Sequence, residues 1–173
     1  MAVNLLIFSV QILCLKINMR IIPIRGVNML LLQRPKYWDV ISVCRDDTLP
    51  MANLCRRHIH VNMDDIFDED MHKLALEAQQ NGRVVLPPND GHIIQAIRFA
   101  RKSEMERLLI HCAMGHSRSP AIGWCILFDL FGNEEKAWNE LYRIRPNVVP
   151  NNRIIRMGRA LIPQLPKVFP ENP

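Results

Sequence analysis

Leu108-Leu109-Ile110-His111-Cys112-Ala113-Met114-Gly115-His116-Ser117-Arg118-Ser119-Pro120 is the stretch on which the fold turns. The apolar run Leu108-Leu109-Ile110 reads as a buried strand that delivers His111 and Cys112 into a short loop, with Gly115 in its middle and Arg118 at its close. The continuation Pro120-Ala121-Ile122-Gly123-Trp124-Cys125-Ile126-Leu127-Phe128 is too long for a buried strand and reads as a helix. Ser119 suits its N-cap and Pro120 its first turn. In a strand, loop, helix unit the free backbone N–H groups of the loop converge with the positive end of the helix dipole on one spot, and a phosphate fits there.

Cys112 shares that field. A free thiol titrates near ~8.5, and amide donors, the dipole and the planar fork of Arg118 should hold Cys112 below that value and keep it a thiolate. Such a sulfur attacks phosphorus without a neighbouring base.

Working outward, strand-like segments at 38–43, 59–63, 83–86 and 108–111 alternate with helical ones at 68–76, 91–102 and beyond the loop. That alternation predicts an α/β fold, a central, mostly parallel sheet flanked by helices on both faces, with Cys112 at a strand's carboxyl end. The chain has 173 residues, 49% of them apolar, and no Gly/Ser-rich linker or repeat divides it, so residues 1–173 are read as a single domain.

H-C-x5-R-S with Gly115 in mid-loop resembles the signature of the cysteine-dependent protein tyrosine phosphatases, and its Gly-His-Ser-Arg-Ser ending is most similar to the dual-specificity-like branch. The likeness extends more weakly over residues 37–162, where Arg145-Pro146-Asn147-Val148-Val149-Pro150-Asn151 looks like the arginine-proline to proline-asparagine stretch that often follows the signature helices. Residues 1–35 match nothing in it. The resemblance implies a phosphatase-like fold and a two-step reaction. Cys112 takes the phosphoryl group and Arg118 clamps its oxygens. The amides of Ala113, Met114, Gly115, His116, Ser117 and Arg118 complete the cradle. Ser119 helps the thiolate leave and His111 orients and acidifies the cysteine.

The leaving oxygen needs a proton, so this chemistry asks for a carboxylic acid on a separate loop. Asp64, Asp65, Asp68, Asp70 and Asp90 are the candidates. The alternation Ile59-His60-Val61-Asn62-Met63 reads as a strand with Asp64 and Asp65 at its mouth, and Asp65 is favoured over Asp64. Asp68 and Asp70 suit the acidic start of the helix Asp68-Glu69-Asp70-Met71-His72-Lys73-Leu74-Ala75-Leu76, and Asp90 suits a turn or cap. The tryptophan-proline-aspartate triplet of the larger tyrosine phosphatases is absent.

A net charge of +5 is spread along the chain, which suits a basic rim for phosphorylated substrates; nucleic acid is not expected as a partner. The expected substrate is a phosphorylated protein or a small phosphomonoester. Five cysteines without paired spacing suggest reduced thiols in the cytoplasm. Cys14, Cys44 and Cys125 read as core; Cys55-Arg56-Arg57-His58-Ile59-His60 does not follow zinc spacing, and neither metal nor cofactor is expected. The apolar stretch 1–15 lacks the basic start and cleavage site of a signal peptide, is too short to span a bilayer, and is read as a strand paired with Ile21-Ile22-Pro23-Ile24. Membrane association or a true start at Met19 are its alternatives. Trp124, Phe128 and Trp138 read as packing residues, and Arg143, Arg145, Arg153, Arg156 and Arg159 as a solvated face.

Three functions follow: an active phosphatase, a weakly catalytic phosphate-binding module, or a rhodanese-like sulfurtransferase. His111 and the Arg118-Ser119 pair argue against the third.

Overall fold

The computed structural model describes residues 19–45, 52–82 and 84–167. Strands β1 (Arg20–Pro23), β2 (Asp39–Val43), β3 (Arg57–Val61) and β4 (Leu108–Cys112) form a sheet of order β1-β4-β2-β3 in which each pairing is parallel. Helices α1 (Ile24–Gln33), α2 (Met71–Asn81), α3 (Asp90–Arg101), α4 (Arg118–Phe131), α5 (Glu134–Ile144) and α6 (Asn152–Leu161) complete the order. None of the described helices is long and apolar enough to cross a membrane.

The central strands β2 and β4 are buried at every position, as expected where helices cover both faces of a parallel sheet. Alternate residues face two cores. Leu108, Ile110 and Cys112 join Ile41 and Val43 in the larger one, under α3, α4, α5 and α6. Val40 and Leu109 join Val27, Leu31 and Trp38 in a smaller one, under α1. Helix α4 is the hub. It is buried from Ser119 through Leu127, and Trp124 meets Phe128 and Trp138 at ring separations of 5.1 and 5.3 Å.

The observed elements depart from the sequence expectations in five places. The third strand runs over residues 57–61 rather than 59–63, because Arg57 pairs with Asp39 and Val61 with Val43 across the ladder. Its start is pinned by buried Asp39, which accepts from Arg56 Nε at 2.8 Å and Nη2 at 2.6 Å. Residues 84–86 form no strand. Their link to the region beyond β3 is the exchange between Asp64 and Leu86, backbone to backbone at 2.8 Å and Leu86 N to the Asp64 carboxylate at 2.9 Å, while Val84 is exposed. Asp68–Asp70 is a 3-10 turn ahead of α2 rather than its first turn. Helix α4 begins at Arg118 with Ser117 as its N-cap; Pro120 is still tolerated there because the first four N–H groups of a helix need no intrahelical acceptor. Finally, residues 20–33 are integral to the fold. β1 lies beside β4, with Pro23 opposite Cys112, and α1 caps the smaller core. Residues 1–18, Cys14 included, lie outside the described residues, and with them the strand pairing expected of that stretch.

Candidate active site

Strand β4 carries Cys112 to the carboxyl end of the sheet, where the chain turns through residues 113–117 into α4. The thiol is buried at 2% exposure and its sulfur accepts two hydrogen bonds, from the Gly115 amide at 3.2 Å and from Ser119 Oγ at 3.2 Å. Burial alone would raise its pKa. The Ser119 side chain and amide, the Arg118 charge and the His116 amide outweigh that burial and hold it below the usual thiol value. Cys125, fully buried in α4 without such donors, is pushed up, and burial lifts Cys55 to about 11. The contrast shows that the loop, not burial, makes Cys112 acidic.

The loop is braced from two sides. Ile24 N donates to Ala113 O at 3.4 Å from the start of α1. Val149 N and Asn151 N donate to the carbonyls of His116 and Ser117 at 3.1 and 3.3 Å from the segment before α6. Gly115 sits at φ +66°, and a Cβ there would lie 2.7 Å from Ile22 C and Pro23 N. Backbone cannot yield to such a clash. Gly115→Ala is therefore expected to displace the amide that faces the sulfur, lowering anion affinity and turnover by about 10²-fold while leaving secondary structure intact. Titration with vanadate alongside circular dichroism checks this; unchanged affinity would contradict the cradle geometry.

The side chains of Met114 and His116 point outward, Met114 at 75% exposure, so the cradle is built of main chain and Arg118. Arg118 Nη1 donates to Met63 O at 2.9 Å, and its buried Nε, without a hydrogen-bond partner, lies 3.7 Å from Asp65 Oδ2. Asp65 Oδ1 in turn accepts from Ser117 Oγ at 2.7 Å and Asn151 Nδ2 at 2.9 Å. Ser117 thus spends its hydroxyl on Asp65 rather than on capping α4.

Asp64, Asp68 and Asp90 go elsewhere. Asp64 is buried and accepts from Leu86 N and from Arg45 Nη1 at 3.3 Å. Asp68 accepts from Arg156 and Arg153, and these hold its pKa down, Arg156 most strongly. Asp90 opens α3 behind the capping residue Asn89. Of the five candidates, Asp65 is the one whose side chain meets the loop and Arg118 in the contacts described. His111 lies fully buried behind the cysteine, pushed down to about 4 chiefly by burial.

Two features escaped sequence reasoning. Asn151 is completely buried. It caps α6 through Ile154 N at 3.2 Å while its amide holds Asp65 and Ile66 O, so one side chain ties helix to acid loop. Its position ahead of a helix was the available signal. The arginine series is also not simply a solvated face: Arg153 and Arg156 clamp Asp68, and Arg153 also reaches Pro88 O at 3.3 Å.

No protein-family model matches the chain, and no curated protein sequence does. Solved structures share its fold. Human DUSP28 superposes with a TM-score of 0.58 at 18% identity, covering 87% of this chain and 98% of that one. A mouse putative dual specificity phosphatase complexed with zinc tungstate gives 0.54 at 19%, covering 82% of each chain. PTPMT1 in complex with PI(5)P gives 0.58 at 12%, covering 83% and 87%. At these identities the likeness is one of fold, and that fold is the one found in dual-specificity phosphatases.

Proposed function

We propose that the protein hydrolyses phosphomonoesters, phosphotyrosine foremost and phosphoserine or phosphothreonine besides, through a cysteinyl-phosphate intermediate. The observation that carries the reading is the meeting at one loop of an acidified sulfur, the Gly115 amide that faces it, a buried guanidinium Nε that makes no hydrogen bond, and the Asp65 carboxylate. An unsatisfied buried N–H is costly, and an equatorial phosphate oxygen beside Arg118 Nε supplies its acceptor.

In the first step Cys112 Sγ forms a bond to phosphorus as the ester P–O bond breaks, and Asp65 gives its proton to the departing oxygen. Water then attacks the cysteinyl phosphate and passes a proton to Asp65. The S–P bond breaks, and the electron pair returns to a sulfur that Ser119 Oγ and the Gly115 amide already solvate. No step calls on a metal or cofactor. His111 and Ser119 act on the sulfur, and the amides of residues 113–118 hold the oxygens. Exposed Met114 and Val149, on the loop and on the segment bonded to it, give the rim an apolar character that suits an aryl group. The absence of lysine from the loop disfavours inositol phosphates, whose extra charges need extra cations. An acidic thiol is oxidised readily, and this supports a reducing compartment such as the cytoplasm.

Leaving groups test the acid. With phenyl phosphate, Asp65→Asn is expected to lower kcat about 10²–10⁴-fold; with an aryl phosphate whose leaving group needs no proton the loss should shrink towards tenfold. Equal losses across the series would remove Asp65 from the role. The binding-module alternative requires wild-type protein that binds vanadate without hydrolysing any aryl phosphate, and the approach of Asp65 to Arg118 weighs against it.

A further inference from the structure

Behind the nucleophile, a polar chain crosses three neighbouring strands. Ser42 of β2 is fully buried, and its Oγ lies 2.7 Å from His111 Nε2 on β4 and 2.8 Å from His58 Nε2 on β3. A hydroxyl in the middle of Val40-Ile41-Ser42-Val43 is otherwise a costly residue for a buried strand. A serine hydroxyl has one proton, so it donates to only one of the two rings and receives from the other. The chain therefore runs in one of two directions.

The direction matters for Cys112. If His111 spends its single N–H on Ser42, a bare Nδ1 lone pair stands on the cysteine side. If Ser42 donates to His111 Nε2 instead, the proton sits on Nδ1, a buried atom with no hydrogen-bond partner among the described residues. The aligned dipoles of His58, Ser42 and His111 then place their positive end at Nδ1, on the residue next to the nucleophile.

We infer that Ser42, braced by His58, is a positioning residue that fixes His111 as the Nδ1–H tautomer and thereby helps keep Cys112 ionised. This rests on the cysteine acting as proposed above. Burial holds both His111 and His58 below the usual imidazole value, His111 more strongly, so both rings are neutral at pH 7 and the tautomer is the quantity left to set. The ionisable groups facing the chain are His60 on β3, whose Nε2 lies 2.7 Å from Cys44 O, Arg118 on α4, and Cys112 itself. From the opposite layer α1 contributes apolar side chains to this core, Val27 and Leu31 among them.

The test reads the sulfur and the ring directly. In Ser42→Ala the midpoint for alkylation of Cys112 by iodoacetamide is expected to rise by about one pH unit, so that below it about tenfold less thiolate is present. Imidazole ¹⁵N spectra should show His111 leaving a single Nδ1–H form for a mixture. Ser42→Thr, which restores the hydroxyl, should return both. His58→Phe keeps Ser42 but removes its obligate donor, and should mix the tautomers even if Ser42→Ala does not fold. An unchanged midpoint with an unchanged His111 ring pattern in these variants overturns the inference. A protein that shows the shift yet hydrolyses no aryl phosphate keeps this inference and refutes the catalytic one.

Discussion

Cys112→Ser is expected to abolish turnover, with kcat on aryl phosphates falling by at least about 10⁴-fold while phosphate and vanadate still bind. The reason lies in what surrounds the atom. The Gly115 amide and Ser119 hydroxyl both donate to residue 112 and neither accepts a proton from it. Those donors stabilise a sulfur anion and hold its pKa below the usual thiol value. A serine hydroxyl starts many units higher and stays protonated, and the nearby imidazole, His111, spends Nε2 on Ser42. Without a base the oxygen cannot attack. Binding should survive or tighten, since the substitution removes an anion that repels the phosphate dianion and keeps the amides and Arg118. Calorimetry with phosphate and a thermal melt within a few degrees of wild type distinguish loss of the nucleophile from loss of the fold. Serine protein that retains a tenth of the activity would remove Cys112 from the mechanism.

The same chemistry sets the pH dependence. The reactive form is the thiolate and the pKa of Cys112 is lowered, so kcat/KM should rise with pH through a midpoint below the ordinary thiol value of ~8.5.

How much of this could be read from residue order follows from which interactions are local. The strand, loop and helix around Cys112 are fixed within about a dozen residues by an apolar run, a glycine that must adopt positive φ, and a cap. These were legible, apart from the first residues of α4, where Ser117 turned out to be drawn away to Asp65. The alternation of strands and helices was legible too, because a sheet buried on both faces needs continuous apolar runs such as Val40-Ile41 and Leu108-Leu109-Ile110. What failed depended on pairing at a distance. Val84-Val85 has strand composition, yet no neighbouring strand is placed to pair with it among the described residues. Residues 20–33 carry no chemistry of their own and gain their meaning only when Pro23 lies opposite Cys112. Residue order favours Asp65 over Asp64 by position alone, since the two are adjacent and only their distant partners separate them. One is claimed by Leu86 and Arg45, the other by Ser117, Asn151 and Arg118. Ser42 reaches His111 and Asn151 reaches Asp65 across 69 and 86 residues, contacts that no local pattern reports.

Arg118→Lys separates charge from shape, and it is expected to cost about 10³-fold or more in kcat/KM while leaving the cysteine reactive. Both side chains are cations, so the electrostatic support that Arg118 gives the thiolate persists in large part, and alkylation of Cys112 should proceed near its wild-type midpoint. What lysine cannot reproduce is the fork. Arg118 uses Nη1 on Met63 O, which fixes the guanidinium plane, and leaves Nε buried without a hydrogen bond, 3.7 Å from Asp65 Oδ2. A planar group held at one corner can meet two equatorial oxygens at once and follow them as phosphorus flattens in the transition state. An ammonium on a flexible stem meets one oxygen and loses the anchor at Met63. The loss should fall on kcat as well as KM, because the paired contact strengthens as charge spreads over the equatorial oxygens. If Arg118→Lys instead lowered alkylation and hydrolysis together, the arginine would be serving the sulfur and not the phosphate. A loss smaller than tenfold would mean the amides bind the anion unaided.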